Sequence, residues 1–418
     1  MKHILCLLAL FLACSSSRAQ LTLERCKEMA RGNYPVIKQL SLVEQSRNFS
    51  VSNAQKAYLP QLSLSGRAQY QSDATKLPVD LPSVSFKGLS RDQYDFSLNL
   101  SQSLYDGGAV SSQKALARRQ GDVDYEQVNV ALYDVYERVE EIFFGILSLD
   151  EQLRETALLQ DDLSLSLDNV LAMQRSGVAN QTDVDAVRVE LAKARQSETG
   201  QRATREAYLR MLATFTGQEI AAGDTLVRPS LPSGIFPQEN RRPELDLYNA
   251  RSLLIDERLS ALDTDLRPRL SLFAQGGYAN PGLNIFKTGF QAYYQVGATL
   301  SWNFGSLYTR SNDKHKLEVE RQSVDSEREA FLLNTSLQTE MQGGAIESLR
   351  KQIDEDDEII ALREGIREKA DTKVENGTET VNEMLRDINA VSEARLTRSM
   401  HELQLLQEIQ KLRTINNI

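Results

Sequence analysis

The feature that most constrains the fold of this chain is an internal repeat. The sequence AYLPQLSLSGRAQY at residues 57–70 has a counterpart in DLRPRLSLFAQGGY at residues 265–278. Pro60 aligns with Pro268, and the Leu-Ser-Leu and the final Tyr that follow align as well. Self-similarity of this kind indicates that one structural plan is used twice along the chain. We therefore expect the second half to fold as a copy of the first.

Proline marks the boundary between the two copies. Four of the 10 prolines lie within residues 217–243, and a proline-rich stretch between patterned segments is typical of a linker. The chain is thereby divided into a first repeat over residues 20–216 and a second over residues 244–418. Each repeat is predicted to contain a helix, two strands and a long helical hairpin.

The N-terminus predicts export. Residues 1–19 combine a basic start, an apolar run over residues 4–13 and a small-residue end at Ala19, which is the pattern of a cleavable secretory signal peptide. The apolar run is too short to cross a bilayer as a helix. The alternative is a lipoprotein signal with the lipid on Cys14, and the sequence leaves both open.

Composition excludes one class of partner. The chain has 48 basic and 58 acidic residues, and loss of Lys2 and Arg18 with the signal peptide changes the net charge from −10 to −12. An acidic chain is unsuited to binding phosphate backbones, so no nucleic-acid partner is expected. The mean hydropathy of −0.39 is that of a soluble protein, and no apolar run after the signal predicts a membrane-spanning helix. Only Cys26 remains after cleavage, which excludes an internal disulfide.

Two segments in each repeat alternate polar and apolar residues as β-strands do. The pattern is strong at 93–104 and 294–304 and weaker at 61–71 and 269–279. Such alternation suits a tilted transmembrane strand, although a half-buried strand of a soluble sandwich has the same pattern. Four strands close no barrel, and open edges do not occur in lipid, so a transmembrane sheet would need further copies of the chain. The predicted lipid-facing side chains are Tyr94, Phe96, Leu98, Leu100, Val296, Leu300, Trp302 and Phe304.

A long stretch without proline follows each strand pair, at residues 109–174 and 309–374. At 1.5 Å per residue, each stretch would form a helix of roughly 100 Å. Apolar residues in the first stretch recur alternately three and four apart, which is coiled-coil spacing. A glycine then ends each long helix, and return helices are expected over residues 180–215 and 380–415.

Four short motifs occur in order along the first repeat: NYP at residues 33–35, YLPQL at 58–62, LYDGG at 104–108 and SGVANQTDV at 176–184. With these motifs and the repeated plan, the whole chain after the signal resembles the TolC-type outer-membrane efflux protein family. The resemblance implies a mainly α fold with a small β part. Three chains would form a TolC-like trimer, in which a 12-stranded outer-membrane β-barrel with four strands per chain continues into a long periplasmic α-helical barrel.

The resemblance also implies a function and partners. The homotrimer would be the exit duct of a tripartite efflux or type I secretion system, embedded in outer-membrane lipid. It would receive substrates from an inner-membrane pump of the RND or ABC type through a periplasmic adaptor, also called a membrane fusion protein. The alternative is a periplasmic coiled-coil structural or adaptor protein, for which one hairpin and a glycine-rich β-domain are expected.

In this family the periplasmic end narrows around an acidic residue six positions after the tip glycine. Here that residue is Asp183 in the first hairpin and Glu383 in the second. Asp185 and Arg386 are further candidates for this constriction, and Arg386 could pair with Glu383 at i, i+3. The alternative is that these acids simply occupy first helical turns, where the helix dipole favours them.

The hairpin tips are the expected contact for the adaptor. The candidates are Gly177, Val178, Ala179, Gly377 and Thr378, and the alternative is that they only form the turns.

The sequence predicts neither an enzyme nor a cofactor or metal site. His315 and His401 are isolated on predicted helices, and no Cys or His cluster has ligand spacing. Carboxylate pairs such as Asp161-Asp162 and Asp356-Asp357 are interpreted as solvated helix faces.

Overall fold

The computed structural model describes residues 21–73, 88–221, 223–230, 240–287, 289–376 and 378–417. The predicted signal peptide, Cys14 and Gly377 lie outside these residues. The chain divides into two compact units. The helical unit comprises Met1–Lys38, Val128–Pro243 and Ala330–Ile418, and the sheet unit comprises Gln39–Gln127 and Glu244–Glu329. Each unit therefore takes segments from both sequence repeats.

The elements follow the repeated plan predicted from the sequence, with one additional helix at the start of the first repeat. The first repeat contains α1 (Leu23–Asn33), α2 (Ile37–Lys56), β1 (Gln61–Tyr70), β2 (Asp92–Tyr105), α3 (Ala109–Arg175) and α4 (Gln181–Thr216). The second contains α5 (Pro243–Ala261), β3 (Arg269–Asn280), β4 (Gln291–Ser301), α6 (Ser306–Glu375) and α7 (Val381–Asn416). The long helices α3 and α6 have 67 and 70 residues, which confirms the predicted proline-free helices.

The four strands form one antiparallel sheet in the order β1-β2-β3-β4. The central pair, β2 and β3, comes from different repeats, so the sheet joins the two halves of the sequence. Residues that pair across neighbouring strands lie on the same face of an antiparallel sheet. The register pairs Leu64 with Leu98, and Gly276 in β3 lies between Leu98 and Tyr294. The apolar positions of all four strands therefore share one face.

The predicted lipid-facing set is corrected at its end. β4 ends at Ser301, whose partner is Arg269, the first residue of β3. Pro268 precedes Arg269 and has no N–H to donate, so the ladder cannot extend further. Trp302 and Phe304 therefore lie beyond the strand. Their rings contact each other at a centroid distance of 4.9 Å, and the Trp302 indole donates to the Leu266 carbonyl.

The helical unit has two main apolar clusters. One surrounds Phe143 and Ile146 of α3 and includes Leu23 and the buried thiol of Cys26 in α1. Leu226, in the linker between the repeats, packs into the same cluster and forms a β-bridge with Leu21. The linker is thus attached to the helical core over this stretch. The second cluster lies at the hairpin turns.

The helices of the sheet unit pack around a smaller cluster, which brings α3 and α5 together through Val123, Ala250 and Leu254. Ion pairs supplement it: Arg251 of α5 lies 2.7 Å from Glu327 of α6, and Arg258 lies 2.7 Å from Glu320. Exposed pairs of this kind contribute at most about 1 kcal/mol each, so packing carries most of the stability of this region.

Candidate functional site

The first hairpin turn is a Schellman motif at the end of α3. Gly177 has a φ of +80°, a left-handed conformation that glycine adopts without strain. The Val178 N–H donates to the Met173 carbonyl at 2.9 Å, and the Gly177 N–H donates to Gln174 at 3.1 Å. The Val178 side chain is 57% exposed. The turn therefore presents an apolar side chain at its tip, while Ala179 packs toward the interior.

The second turn repeats one hydrogen bond of the first. The Thr378 N–H donates to the Lys373 carbonyl at 2.9 Å, and its hydroxyl donates to the same oxygen at 3.1 Å. Thr378 is exposed and occupies the position equivalent to Val178. The two tips thus share this backbone hydrogen bond but present different chemistry: one is apolar and one carries a hydroxyl.

The acids predicted for the constriction each belong to a capping box. Asp183 accepts from the Asn180 N–H at 2.9 Å, and its own N–H donates to the Asn180 side chain at 3.0 Å. Glu383 accepts from the Thr380 N–H at 2.9 Å and hydroxyl at 2.9 Å. Reciprocal bonds of this kind satisfy backbone donors that the first helical turn leaves free. Both acids therefore have a structural role at the start of a return helix.

The hydrogen bonds at the second cap affect the charge of Glu383. Those from the Thr380 backbone and hydroxyl hold the pKa of Glu383 below its ordinary value of 4.5, with a smaller contribution from the positive charge of Arg386. Among the described residues, Glu383 and Arg386 form no ion pair within 4.0 Å, because the Glu383 carboxylate is turned back to its cap. The i, i+3 pair considered from the sequence is therefore not formed.

Asp185 has different partners. It accepts from Gln181 Nε2 at 2.8 Å and lies 3.4 Å from Arg188 on the same helix. Its side chain is 56% exposed. Its charge is thus partly balanced within α4, unlike that of Asp183.

An apolar cluster joins the two hairpins just behind these caps. Leu163 and Val170 of α3 and Val184 of α4 pack with residues of the second hairpin, including Met384 and Ile388 of α7. The side chains of the three residues from the first hairpin are fully buried. Because one core contains residues from both hairpins, the four helices are held together where the two tips lie.

Two side-chain contacts within the hairpins correct the interpretation of solvated helix faces. Asp162 of α3 lies 2.7 Å from Arg367 of α6, and both are less than one-third exposed. Asp356 of α6 is buried and lies 2.6 Å from His401 of α7. Sequence reasoning missed these contacts because the partners are far apart in the chain. It also missed Glu379, a half-buried acid 3.4 Å from Lys373 at the second tip.

The second candidate region is the sheet, whose two faces differ sharply. Leu64, Tyr294 and Val296 on the apolar face are each more than 70% exposed. The predicted lipid-facing residues of β2, with Val296 and Leu300 of β4, lie on this face. The opposite face carries mainly Ser, Thr, Asn, Gln and Gly. A soluble sandwich would bury its apolar face against a second layer, and this chain leaves that face exposed.

Small residues let aromatic rings lie flat on the polar face. A Cβ at Gly277 would lie 2.5 Å from the Tyr293 ring, and one at Gly297 would lie 2.8 Å from the Phe273 ring. The Tyr293 hydroxyl donates to Asp95 Oδ2 at 2.7 Å. Sequence reasoning missed both residues. Asp95 was visible among the polar residues of segment 93–104, whereas Tyr293 immediately precedes the alternating segment 294–304.

The described residues contain no helix apolar and long enough to cross a membrane. They also contain no group of three or more His, Cys, Asp or Glu side chains that could hold a metal ion.

The family model for outer membrane efflux proteins matches residues 27–218. The matched segment covers almost all of the first repeat. The resemblance found in the sequence is thereby confirmed, and the match agrees with the predicted location in the outer membrane with helices extending into the periplasm. No curated protein matches the chain.

Solved outer-membrane channels share the fold over nearly the whole chain. The OprN channel superposes with a TM-score of 0.69 at 14% identity, covering 94% of this chain and 89% of OprN. The Campylobacter jejuni CmeC channel superposes with a TM-score of 0.64 at 14% identity, covering 94% of this chain and 85% of CmeC. VceC of Vibrio cholerae superposes with a TM-score of 0.66 at 13% identity, covering 94% of this chain and 95% of VceC. These likenesses extend the family fold to the second repeat and confirm the predicted TolC-like fold class.

Proposed function

We propose that three copies of this chain form the outer-membrane exit duct of a tripartite efflux or type I secretion system. The observation that carries the proposal is a sheet with one exposed apolar face, one polar face and two unpaired outer edges. In the described part of the chain, β1 and β4 each pair with a single strand. Pairing β4 of one copy with β1 of the next would satisfy both edges and close a barrel of twelve strands.

Lipid and water would then contact opposite faces of the barrel. The apolar face, including Leu64, Phe96 and Val296, would contact outer-membrane lipid, and the polar face would line the lumen. Trp302 and Phe304, just past β4, would lie at the membrane interface, where aromatic residues are enriched.

The helices support assembly as well. In α3, Leu158 and Leu165 are exposed on a side away from the buried seam, and in α6 Leu333, Leu337 and Met341 are exposed four residues apart. Exposed apolar stripes on one chain are expected where neighbouring chains pack. With the hairpin tips at the periplasmic entrance, a closed ring of these helices would continue the barrel as a tunnel.

The proposed partners are a periplasmic adaptor at the tips and an inner-membrane pump of the RND or ABC type. The exposed Val178 offers an apolar contact for the adaptor, and Thr378 offers a polar one. Asp183, Asp185 and Glu383 would form rings of carboxylates at the constriction, with Arg386 close to Glu383 in the sequence. Such rings attract cations.

The test of this function is fractionation with assembly. We expect the mature protein in the outer-membrane fraction, as trimers that persist on unheated SDS gels and dissociate on boiling. The purified trimers should conduct ions in planar bilayers. Recovery as a soluble periplasmic monomer would favour the alternative, a periplasmic coiled-coil structural or adaptor protein, and would contradict the duct.

Adaptor contact at the tip is tested with Val178→Glu. This substitution leaves Gly177 and the turn intact, whereas a side chain at Gly177 would also strain the backbone. We expect export to fall at least about tenfold, with normal trimers in the outer membrane, because a charge would be buried against the adaptor. The matched control is Ser176→Glu, a neighbouring exposed residue of the same turn. Unchanged export in Val178→Glu would show that this residue only forms the turn.

A further inference from the structure

A single pair of opposite charges lies on the polar face of the sheet, on the neighbouring strands β1 and β2. Arg67 in β1 and Asp95 in β2 are direct cross-strand partners. Besides them, the paired positions of this face carry a charge only at Arg269, at the start of β3, which lies 3.1 Å from Asp265. Arg67 and Asp95 therefore stand alone on a surface of amides and hydroxyls.

The rows on either side of this pair are neutral and satisfy their own hydrogen bonds. On one side, the Ser65 and Ser97 hydroxyls lie 2.9 Å apart. On the other side, Gln69 donates to Gln93 at 2.7 Å, and Gln93 donates to Gln71 at 3.1 Å. These side chains are engaged with one another, so they neutralise neither charge.

Asp95 is held in place by a side chain of β4, the strand at the opposite edge of the sheet. The Tyr293 hydroxyl of β4 reaches it at 2.7 Å, and Gln275 in turn donates to that hydroxyl at 3.3 Å. The Tyr293 ring can lie across the sheet because Gly277 beneath it has no side chain. Among the described residues, Arg67 and Asp95 form no ion pair within 4.0 Å, although their backbones are direct neighbours.

Both charges line one concave hollow of the polar face, of about 490 Å³, together with Gln69, Gln93, Asn99 and Gln275. The hollow is open, and Arg67 is exposed in it. A solute crossing this face would therefore meet a fixed carboxylate and a guanidinium side by side.

We propose that Arg67 and Asp95 set the charge selectivity of the barrel part of the duct. This inference rests on the proposed channel function. Arg67 attracts the anionic groups of passing solutes and Asp95 attracts their cationic groups, so the pair favours zwitterionic and polar solutes over ions of one sign. Tyr293 is a positioning residue, since it keeps the carboxylate from collapsing onto the guanidinium.

The experiment measures reversal potentials of purified trimers in planar bilayers of neutral phosphatidylcholine under a KCl gradient. Arg67→Gln should raise the ratio of cation to anion permeability at least about twofold, the size expected for a unit charge several ångströms from an ion in water. Asp95→Asn, which retains an acceptor for Tyr293, should lower the ratio by a similar factor. The double variant should return to within the unmodified range, and the neutral control Asn99→Ala should not change it.

A further variant tests the role assigned to Tyr293. Tyr293→Phe should change the permeability ratio in the unmodified channel but not in the Asp95→Asn background, because it acts through the carboxylate. An effect of equal size in both backgrounds would contradict the positioning role. Normal conductance with unchanged selectivity in both Arg67→Gln and Asp95→Asn would overturn the proposal while leaving the duct intact. Absence of conductance in the unmodified trimer would instead contradict the duct, and this proposal with it.

Discussion

Asp183 and Glu383 each have a local role that is visible in the structure and a proposed role in the assembled duct. The capping boxes explain why an acid stands at the third position of each return helix. The proposed constriction needs a negative charge at the same place. Substitution by the corresponding amide can separate the capping role from the proposed role in the constriction. The amide side chain has the same shape as the acid and keeps an acceptor oxygen for the cap, but it carries no charge.

The double variant Asp183→Asn with Glu383→Gln tests the proposed carboxylate rings. We expect weaker block of single-channel current by divalent cations, since two rings of negative charge would be lost. Trimers should form normally, because each cap retains an acceptor oxygen. The matched control is Asp185→Asn, whose carboxylate is already paired with Arg188 and should matter less. Full block in the double variant would remove the ring hypothesis and leave the capping role alone.

The lowered pKa of Glu383 predicts a pH dependence of stability. A carboxyl group whose pKa is lower in the folded state stabilises the fold above its unfolded pKa, and this contribution is lost as the pH falls through the folded pKa. Glu383→Gln should therefore lower the unfolding temperature at pH 7. The difference from the unmodified protein should shrink as the pH drops below the ordinary value of 4.5. Thermal unfolding monitored by circular dichroism across pH checks this, and a pH-independent difference would contradict it.

At the scale of the element, the sheet depends on close contact between aromatic rings and glycine. Gly297→Val should destabilise the assembled protein, because its side chain would displace the Phe273 ring on the polar face. We expect the trimer to dissociate at a lower temperature on SDS gels. Gly276→Val is the matched control: it lies on the apolar face, where a Cβ would be 4.0 Å from the nearest atom. An equal loss of thermal stability in both variants would indicate that the sheet does not accept a larger side chain at either position, and would contradict a specific clash with the Phe273 ring.

At the scale of the whole molecule, the exposed stripe on α6 predicts where chains meet. Leu337 is 60% exposed, and burying such a side chain contributes about 2 kcal/mol. Leu337→Lys should reduce the trimer fraction on unheated gels, because it would place a charge in the interface. Gln338→Lys adds the same charge to the next exposed position and should leave the trimer intact. Trimers unaffected by Leu337→Lys would show that this stripe lies outside the contact between chains.

Much of the secondary structure was predictable because local patterns determine it. The absence of proline over α3 and α6, the glycine at the first turn and the alternation in β2 predicted elements whose observed ends lie within a few residues. The repeat predicted the order of helix, two strands and helical hairpin in each half, but it did not predict α1, which has no counterpart among the described residues of the second half. Trp302 and Phe304 were misplaced because alternation continues past Ser301, whereas the ladder stops where Pro268 precedes the partner strand.

Contacts between distant residues were decided only in the tertiary structure. No local pattern pairs β2 with β3, places segments of both repeats in each compact unit, or brings Asp162 to Arg367 and Tyr293 to Asp95. Hydrophobic periodicity reports which side of an element is apolar, but the partner of that side depends on packing among the whole set of elements. The sequence alone therefore determined the elements and the family resemblance. The tertiary structure decided which charges are paired, which are caps, and which two lie side by side on the polar face without forming an ion pair.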